Sequence, residues 1–363
     1  MKTRLRLQIG VPANLGTQDM IVQNAWYVAA WTEEISTKPL ARRIANQPIV
    51  LFRMLDGNPC ALIDSCSHRG APLSLGTVTD KGIRCNYHGV VFGCDGKCTA
   101  IPNQESIPDK AQVQSFPVFE QDKMVWIWIG EAEKADETLI VRYPFHGDRN
   151  WPSKFAMSPV ASSYLLIGDN LLDATHLAYV HGDSVGGADP EGHMKAESSL
   201  KPTERGHRFE RLMRNAPAPP AYAACVQFDG KIDRWQEFDF VAPSTVLQYS
   251  GGVPAGTDRA TARAPRFDMR IFHSATPATD NTCYYFWSVQ NGHNTDDPRA
   301  TEMVFEQIES AIVEDKLFIE AQQARVDELG ESRLFDNSAD AARIMARRAI
   351  RKYAKAHENP SAP

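Results

Sequence analysis

Hydrophobic positions in the first third of the chain fall into short runs that alternate with turn residues. The segments "DGNP" and "CDGKC" supply the turn chemistry, and four apolar runs are typical of strands: "PIVLFR", "CALID", "GIRCNYHGVVFG" and "MVWIWIG". This pattern predicts a small all-β domain. The charged segment "GEAEKADETLI", which has few apolar residues, predicts a linker into a second domain.

The second part of the chain mixes two hydrophobic periods. The segment "LLIGDNLLDATHLAYVH" has helical spacing, and residues 299–329 and 338–356 predict a long amphipathic helix and a basic helix. "TPATDNT" predicts a hairpin turn. Five runs predict an antiparallel sheet: "RFERLMR", "KIDRWQEFDFV", "STVLQYSGGV", "RFDMRIFHSATP" and "TCYYFWSVQ". The fold class is therefore α+β, with domains expected over residues 21–135 and 136–363.

Composition narrows the class of protein. The chain has 363 residues, 43% of them hydrophobic and 23% charged, which suits a two-domain globular protein. A net charge of −6 without a basic block argues against nucleic acid or an anionic membrane as a partner. No apolar run approaches the roughly 20 residues of a membrane span. Residues 1–20 lack the apolar core of a signal peptide, so we expect a mobile tail there.

The cysteines point to a metal site in a reducing compartment. Of the seven cysteines, four lie between residues 66 and 98, whereas a secreted disulfide framework usually occupies a shorter chain. A cytoplasmic location is therefore expected. The other three cysteines are expected to be small buried apolar residues: Cys60, Cys225 and Cys283.

Two mixed pairs of cysteine and histidine form the first candidate site. Cys66 and His68 are spaced C-x-H, and Cys85 and His88 are spaced C-x2-H. A structural zinc site would normally pair like ligands, and two core histidines beside unrelated cysteines are the simpler alternative. Mixed pairs suit a binuclear cluster in which one iron takes two thiolates and the other two imidazoles. The pattern resembles a Rieske [2Fe–2S] domain. The neighbouring Cys94 and Cys98 lie outside it, as expected packing or turn residues.

The segment "DNLLDATHLAYVH" forms the second candidate site. On an unbroken helix His176 and His181 would point about 140° apart. A π-bulge, or a helix that ends near Val180, would let both bind one ion. Two histidines and one carboxylate make the facial triad of non-haem Fe(II) oxygenases, although a satisfied polar helix face is the alternative.

The third ligand must come from elsewhere in the chain. Asp315 lies among apolar helix positions such as Ile312 and Ile319, so its carboxylate should face inward, where metal coordination would offset the cost of burial. The adjacent Glu314 is expected to be an exposed charge paired with Lys316 or another neighbour.

These motifs, together with "NAWYVAA" and "VEDKLFIEAQQ", resemble the Rieske non-haem iron oxygenases over about residues 20–330. The similarity is greatest to the branch of vanillate O-demethylase, dicamba demethylase and toluenesulfonate methyl-monooxygenase. It implies a helix-grip, START-like second domain. It also implies a cluster held by Cys66, His68, Cys85 and His88, and a mononuclear Fe(II) held by His176, His181 and Asp315.

The resemblance implies further roles and partners. Asp173 would lie between His176 and the Rieske ligand His88 of a neighbouring subunit in a head-to-tail homotrimer, and Asn170 would lie near the iron without binding it. Electrons would come from NAD(P)H through a separate flavin and iron–sulfur reductase, or a ferredoxin. The chain itself has no G-x-G-x-x-G nucleotide-binding motif.

Three functions remain open at this point. The first is O2-dependent monooxygenation of a methyl or methoxy group on a substituted aromatic acid, which the branch resemblance favours. The second is arene cis-dihydroxylation by the same metals, and the third is a Rieske electron-transfer protein without a mononuclear iron.

Substrate contacts are the least specific part of the sequence. Arg234 and Arg270 could bind a carboxylate or sulfonate in bidentate fashion, or be surface charges. Four sheet residues are candidate pocket residues that could equally be core or surface residues: Gln236, Tyr249, His273 and Trp287. The remaining histidines are expected in polar loops or tails: His146, His193, His207, His293 and His357.

Overall fold

The computed structural model describes residues 21–262 and 265–357. The predicted tail over residues 1–20 lies outside the described residues. Among the described residues, no helix is both long and apolar enough to cross a membrane.

The N-terminal part is all β, as predicted. Its strands form three antiparallel sheets, in the orders β1-β11-β10, β2-β3-β4-β9 and β5-β6-β7-β8. The strands are β1 (Ala25–Trp31), β2 (Leu40–Ile44), β3 (Gln47–Arg53), β4 (Pro59–Ile63), β5 (Thr77–Thr79), β6 (Gly82–Arg84), β7 (Val91–Phe92), β8 (Cys98–Ala100), β9 (Ser115–Phe116), β10 (Val118–Gln121) and β11 (Met124–Ile129).

One predicted strand is interrupted. The run "GIRCNYHGVVFG" is not continuous, since β6 ends at Arg84 and β7 begins at Val91. A turn that contains Cys85 and His88 separates the two strands. Both short strands are largely buried and apolar, so the sequence on the two sides of the turn looked like one continuous strand.

The predicted linker is a largely exposed connection that hydrogen bonds hold to the N-terminal part. Residues 132–134 and 137–139 form short 3-10 turns. The indole Nε1 of Trp26 donates to the carbonyl of Asp136 at 2.8 Å, and the backbone N–H of Glu131 donates to Asn24 at 2.9 Å. The boundary between residues 135 and 136 remains a prediction.

The C-terminal part is built on a seven-stranded antiparallel sheet in the order β12-β18-β17-β16-β15-β14-β13. The five predicted strands and the hairpin between the last two are confirmed. The two edge strands were not predicted, because "SKFAMSPV" and "ESSLKP" are half-exposed and show no clear alternation. The bounds are β12 (Ser153–Val160), β13 (Glu197–Pro202), β14 (Gly206–Ala216), β15 (Ile232–Val241), β16 (Thr245–Pro254), β17 (Phe267–Thr279) and β18 (Thr282–Asn291).

The helices complete the α+β fold. The long helix packs one apolar face on the sheet, where the rings of Phe305 and Trp287 stack at 4.8 Å. It begins after Asp297, which caps the backbone N–H of Arg299, and it ends at Gly330, whose φ of 73° suits glycine. The bounds are α1 (Tyr164–Leu172), α2 (Leu177–Val180), α3 (Pro190–Lys195), α4 (Pro220–Cys225), α5 (Pro298–Leu329) and α6 (Ala341–His357).

Buried contacts join the last helix to the first. Arg347 donates two hydrogen bonds to the carboxylate of Asp169, at 2.9 and 2.6 Å, and its side chain is 6% exposed. Asp169 precedes Asn170, one of the predicted site residues. This ion pair therefore fixes α1 at the position where the site begins.

The cysteine predictions need correction. Cys60 on β4 and Cys94 in the turn after β7 form a disulfide, with their Cα atoms 5.3 Å apart. Cys94 is thus not a simple turn residue, and Cys60, although buried, is not free. The two belong to different sheets, so the packing of one sheet on the other brings them together across 34 residues of sequence. Cys283 is buried as predicted, whereas Cys225 is only half-buried.

The remaining histidines are also placed differently from the prediction. Four are buried at 5% exposure or less: His146, His193, His207 and His293. Burial lowers the pKa of His146, His193 and His207 to about 4, so they are neutral near pH 7. His207 lies within β14, and His146 bonds the Ser288 hydroxyl at 2.6 Å. In a strand or a turn, one residue can face the core while its neighbours in sequence face the solvent. The polar neighbours of these histidines therefore gave no sign that the histidines are buried.

Candidate metal sites

The four predicted cluster ligands lie on two loops with the same backbone pattern. In the first loop the N–H of Cys66 donates to Ala71 and the N–H of Gly70 donates back to Cys66, both at 2.8 Å. In the second loop the N–H of Cys85 donates to Val90, and that of Gly89 to Cys85, at 2.8 and 2.9 Å. The repeated turn places Cys66 and Cys85 in equivalent backbone positions, and each histidine follows within the same turn, two residues after Cys66 and three after Cys85.

Glycine is required at the end of each turn. Gly70 and Gly89 have φ values of 71° and 79°. At Gly89 a Cβ would also lie 2.7 Å from the ring of Pro102. The second loop can therefore close tightly only with glycine at this position.

The donor set is divided between core and surface. Cys66 and Cys85 are buried at 3% and 2% exposure, whereas His68 and His88 are exposed, with ring centroids 4.7 Å apart. Burial is the main cause that raises the pKa of the Cys66 thiol, and the Cys85 side chain lies beside it. A buried thiol pair under two exposed imidazoles fits a [2Fe–2S] cluster with thiolates on one iron and imidazoles on the other.

The second site is organised by a helix break. Helix α1 ends at Leu172, and α2 consists of a single turn that ends at Val180, as predicted. His176 is the residue before that turn and His181 the residue after it, so the two imidazoles can converge, with ring centroids 5.2 Å apart.

Helix α5 supplies the carboxylate. Oδ1 of Asp315 lies 3.0 Å from Nε2 of His181 and 3.5 Å from Nε2 of His176. The side-chain amide of Asn170 donates to the same Oδ1 at 3.0 Å. The three predicted ligand atoms lie within 4.8 Å of one another. This set of two imidazoles and one carboxylate fits a facial Fe(II) site.

A cavity opens beside these three residues, and strand alternation determines what lines it. On β15 it is lined by Arg234, Gln236 and Phe238, and on β17 by Met269, Ile271 and His273. Two of the four predicted pocket residues, Gln236 and His273, are therefore placed correctly. Tyr249 and Trp287 do not line the cavity. Tyr249 follows Gln248, which lines the cavity. Successive residues of a strand face opposite sides of the sheet, so Tyr249 faces away from the cavity.

A chain of three hydrogen-bonded side chains, Tyr285, His273 and Gln248, forms one polar part of the cavity wall. Burial lowers the pKa of His273 to about 3, so its imidazole is neutral. The Tyr285 hydroxyl and Nδ1 of His273 lie 2.6 Å apart, and Nε2 of His273 lies 3.1 Å from the amide oxygen of Gln248. A neutral imidazole satisfies both contacts by accepting from Tyr285 and donating to Gln248. These side chains therefore have fixed directions.

Comparison with known protein families decides the assignment. Residues 25–117 match the Rieske [2Fe-2S] domain, and residues 160–356 match the vanillate O-demethylase oxygenase C-terminal domain. The chain belongs to the Rieske non-haem iron oxygenases.

Individual relatives agree with this. The toluene-4-sulfonate monooxygenase system iron-sulfur subunit of Comamonas testosteroni is 33% identical to the oxygenase over 95% of this chain and 100% of the relative. The vanillate O-demethylase oxygenase subunit of a Pseudomonas species is 33% identical over 93% of this chain and 96% of the relative. A crystal structure of dicamba monooxygenase bound to 3,6-dichlorosalicylic acid has a TM-score of 0.87 and 30% identity, with 93% and 99% of the two chains covered.

The family fixes the class of reaction and the cofactors. The oxygenase is an oxidoreductase that uses a Rieske [2Fe–2S] cluster, a mononuclear iron and O2. The alternative of a structural zinc at the Cys–His loops is excluded by the match to the Rieske domain. The Rieske electron-transfer protein without a catalytic domain is excluded by the match over residues 160–356.

Glu314 differs from its prediction and adds a residue that sequence reasoning missed. Its Oε2 lies 2.6 Å from Nδ1 of His181, the nitrogen that faces away from Asp315. Glu314 is thus not simply an exposed charge paired with Lys316, although its side chain is 39% exposed. Nothing in the local sequence shows where the His181 ring lies, so the contact could not be predicted.

We expect the Glu314→Ala variant to bind Fe(II) about 10 to 100 times more weakly than the wild type. A carboxylate on the outer nitrogen of a metal-binding histidine fixes the orientation and tautomer of the ring, and the variant lacks it. Titration of the apoprotein with Fe(II) against a competing chelator measures the effect. The matched control is Glu309→Ala, an exposed carboxylate on the same helix. Equal Fe(II) affinity in the two variants would refute the role of Glu314.

Asp173 also differs in detail from its prediction. Its backbone carbonyl, not its carboxylate, contacts Nδ1 of His176. The carboxylate accepts hydrogen bonds from the backbone N–H and the hydroxyl of Thr175, at 2.9 and 2.6 Å. Within one chain the carboxylate therefore caps the turn that leads into α2. A bridge to His88 of another subunit stays a prediction.

Proposed function

We propose that the oxygenase is the terminal component of a multicomponent system that hydroxylates or O-demethylates a methyl or methoxy group of a substituted aromatic acid. The observation that carries the proposal is the convergence of His176, His181 and Asp315 beside a largely apolar cavity, in a chain that also contains a Rieske domain. Its relatives include enzymes named for vanillate, dicamba and toluene-4-sulfonate, which are all aromatic acids.

The geometry supports the following proposed roles of the site residues. We assign Cys66, His68, Cys85 and His88 to the cluster, and His176, His181 and Asp315 to the mononuclear iron. When bound, these irons supply electrons and open coordination positions at which O2 is reduced. Asn170 orients Asp315 through its 3.0 Å hydrogen bond and is not a ligand itself.

The cavity residues position the substrate and limit the access of water. Leu177, Ile308 and Ile312 form an apolar wall next to the three ligands, which suits an aromatic ring. The reaction consumes one O2, two electrons and two protons, and it yields a hydroxylated carbon and water. A hydroxylated methoxy carbon is a hemiacetal, which releases formaldehyde and leaves a phenol.

We also propose the assembly and the partners. The exposed ligands His68 and His88 lie near two exposed apolar side chains, Leu75 and Tyr87, which are 73% and 64% exposed. Exposed apolar side chains also flank the mononuclear site, such as Tyr179 and Leu317, at 74% and 69%. We propose that these two surfaces meet in a head-to-tail homotrimer, in which the cluster of one subunit approaches the iron site of the next.

A separate NAD(P)H-dependent reductase, with or without a ferredoxin, would supply the electrons. The relatives are named as subunits or components of multicomponent systems, which supports such a partner. We propose a cytoplasmic location because the nicotinamide donors are found there.

A product assay tests the proposed reaction. The iron-loaded oxygenase is supplied with NADH, a flavin and iron–sulfur reductase, and either 4-methoxybenzoate or 4-methylbenzoate. We expect formaldehyde from the first and the hydroxymethyl acid from the second, each matched to the O2 consumed. Formation of a cis-diol as the main product would contradict the proposal and favour arene dihydroxylation.

A further inference from the structure

One buried arginine, Arg234, lines the cavity, and a second, Arg211, lies behind it in contact with the lining residue Gln236. Arg234 and Arg211 are 3% and 5% exposed, and neither has a carboxylate within salt-bridge distance in residues 21–262 or 265–357. The Nη atoms of Arg234 donate to the backbone carbonyls of Gly186 and Val185, at 2.8 and 2.7 Å. Its Nε has no hydrogen-bond partner among the described residues. A buried charge without a partner is costly, so a bound anion would stabilise it.

Strand geometry directs Arg234 into the cavity. It shares the inward face of β15 with Gln236 and Phe238, and all three line the same cavity as His176, His181 and Asp315. Its guanidinium carbon lies 5.1 Å from the ring centroid of Tyr222, which also lines the cavity. An aromatic acid in this cavity could therefore contact both the arginine and the iron site.

Arg211 lies behind the cavity wall, next to Gln236 and Arg234, and adds a second positive charge there. One Nη donates to the side-chain oxygen of Gln236 at 3.1 Å, which leaves the amide NH2 group of Gln236 free of this bond. Burial, and then the neighbouring Arg234, lower the pKa of Arg211 to about 10, so it remains charged near pH 7. The nearby His193 is neutral, because burial lowers its pKa to about 4.

Arg270, the other arginine that the sequence offered as an anion ligand, lies on the opposite face of the sheet. Its guanidinium stacks on the rings of Phe145 and Trp151, at 4.0 and 4.2 Å, and also lies 5.1 Å from Tyr249. It does not line the cavity. Contact with several π faces offsets part of its charge and gives it a structural role.

We propose that Arg234 is the specificity-determining residue that binds the acidic group of the substrate, a carboxylate or a sulfonate, through its Nε–H. The amide NH2 of Gln236 is the second donor to the same anion, held in place by Arg211. The proposal rests on the proposed function, because it names the anchor for the ligand of the same cavity. It adds that the cavity selects anions over neutral aromatics of the same shape.

Ligand binding, rather than turnover, tests this inference. Calorimetric titrations of the iron-loaded protein without O2 would use 4-methylbenzoate, toluene-4-sulfonate and the neutral 4-methylbenzamide. We expect the wild type to bind at least one of the acids about tenfold or more tightly than the amide, since charge-assisted hydrogen bonds are the stronger ones. The tighter of the two acids identifies whether the group is a carboxylate or a sulfonate.

Two variants separate anchoring from a structural role. Arg234→Met should weaken binding of the acids about tenfold or more and change binding of the amide less than about threefold. The matched control Arg270→Met should leave all three affinities within about threefold. A merely structural role of Arg234 would instead weaken the acids and the amide in parallel.

The outcomes that overturn the inference do not depend on the folding of a variant. Equal affinity of the wild type for 4-methylbenzoate, toluene-4-sulfonate and the amide would overturn it, and so would the failure of both acids to bind. If acids bind through Arg234 but no oxygenated product forms, the proposed function fails and the anion site stands. If neutral and acidic substrates are bound and oxygenated equally well, the proposed function stands and this inference fails.

Discussion

The Asp315→Ala variant is expected to lose the mononuclear iron and all measurable product formation, while it keeps the absorbance of the Rieske cluster. Asp315 is the only carboxylate among the three converging ligands, and His176 and His181 alone leave the ion with two neutral donors. We expect the affinity for Fe(II) to fall more than about 100-fold, beyond the effect of removing an outer-shell partner. Iron analysis should show about one iron fewer per chain than in the wild type.

The control for this variant is again Glu309→Ala, which removes an exposed carboxylate from the same helix. It should retain the wild-type iron content and activity. Full turnover by Asp315→Ala, or an unchanged iron content, would show that the three residues do not form the catalytic iron site.

The Cys85→Ser variant is expected to lose the Rieske cluster and, with it, all product formation driven by the reductase. Cys85 lies in the buried half of the donor set beside Cys66, and a hydroxyl is a much poorer iron ligand than a thiolate. The mononuclear iron should be retained, because its proposed ligands flank α2 and lie on α5, outside the N-terminal part. Visible absorbance and iron content measure the two effects separately.

Cys98→Ser is the matched control for Cys85→Ser. Cys98 is also buried in the core of the N-terminal part, at 9% exposure, and its Sγ contacts the carbonyl of Ala100 at 3.4 Å and not the predicted cluster ligands. We expect normal cluster absorbance from this variant. Loss of the cluster in both variants would indicate a general packing effect, and retention in Cys85→Ser would remove Cys85 from the ligand set.

The sequence predicted the structure best where the signal is local, either a hydrophobic period along one segment or a fixed spacing between the residues of a motif. The inner strands of the large sheet and helix α5 followed from hydrophobic periodicity, and the seven proposed ligands followed from motif spacing and from one carboxylate on an apolar helix face. The edge strands β12 and β13 were not predicted, because hydrophobic and polar residues need not alternate strictly in an edge strand. The end of a helix at Val180 was one of two alternatives anticipated, because two histidines five residues apart cannot meet on an unbroken helix. The break between α1 and α2, which precedes His176, was not predicted.

Contacts between distant segments could not be predicted. The bond from Glu314 to His181 depends on the rotation of a histidine at a helix end, and the disulfide of Cys60 with Cys94 depends on the packing of two separate sheets. Arg234 and Arg270 looked equivalent in sequence. Strand parity places them on opposite faces of the sheet, but only the packing of the helices shows which face carries the cavity.

A single-turnover experiment tests the link between the two iron sites most directly. The iron-loaded protein is reduced without O2, separated from the reductant, and mixed with O2 and 4-methoxybenzoate. We expect formaldehyde to form as the absorbance of the oxidised cluster returns, and neither Asp315→Ala nor Cys85→Ser should give formaldehyde. Return of that absorbance in the wild type without formaldehyde or any other oxygenated product, or formaldehyde formation by either variant, would contradict the account.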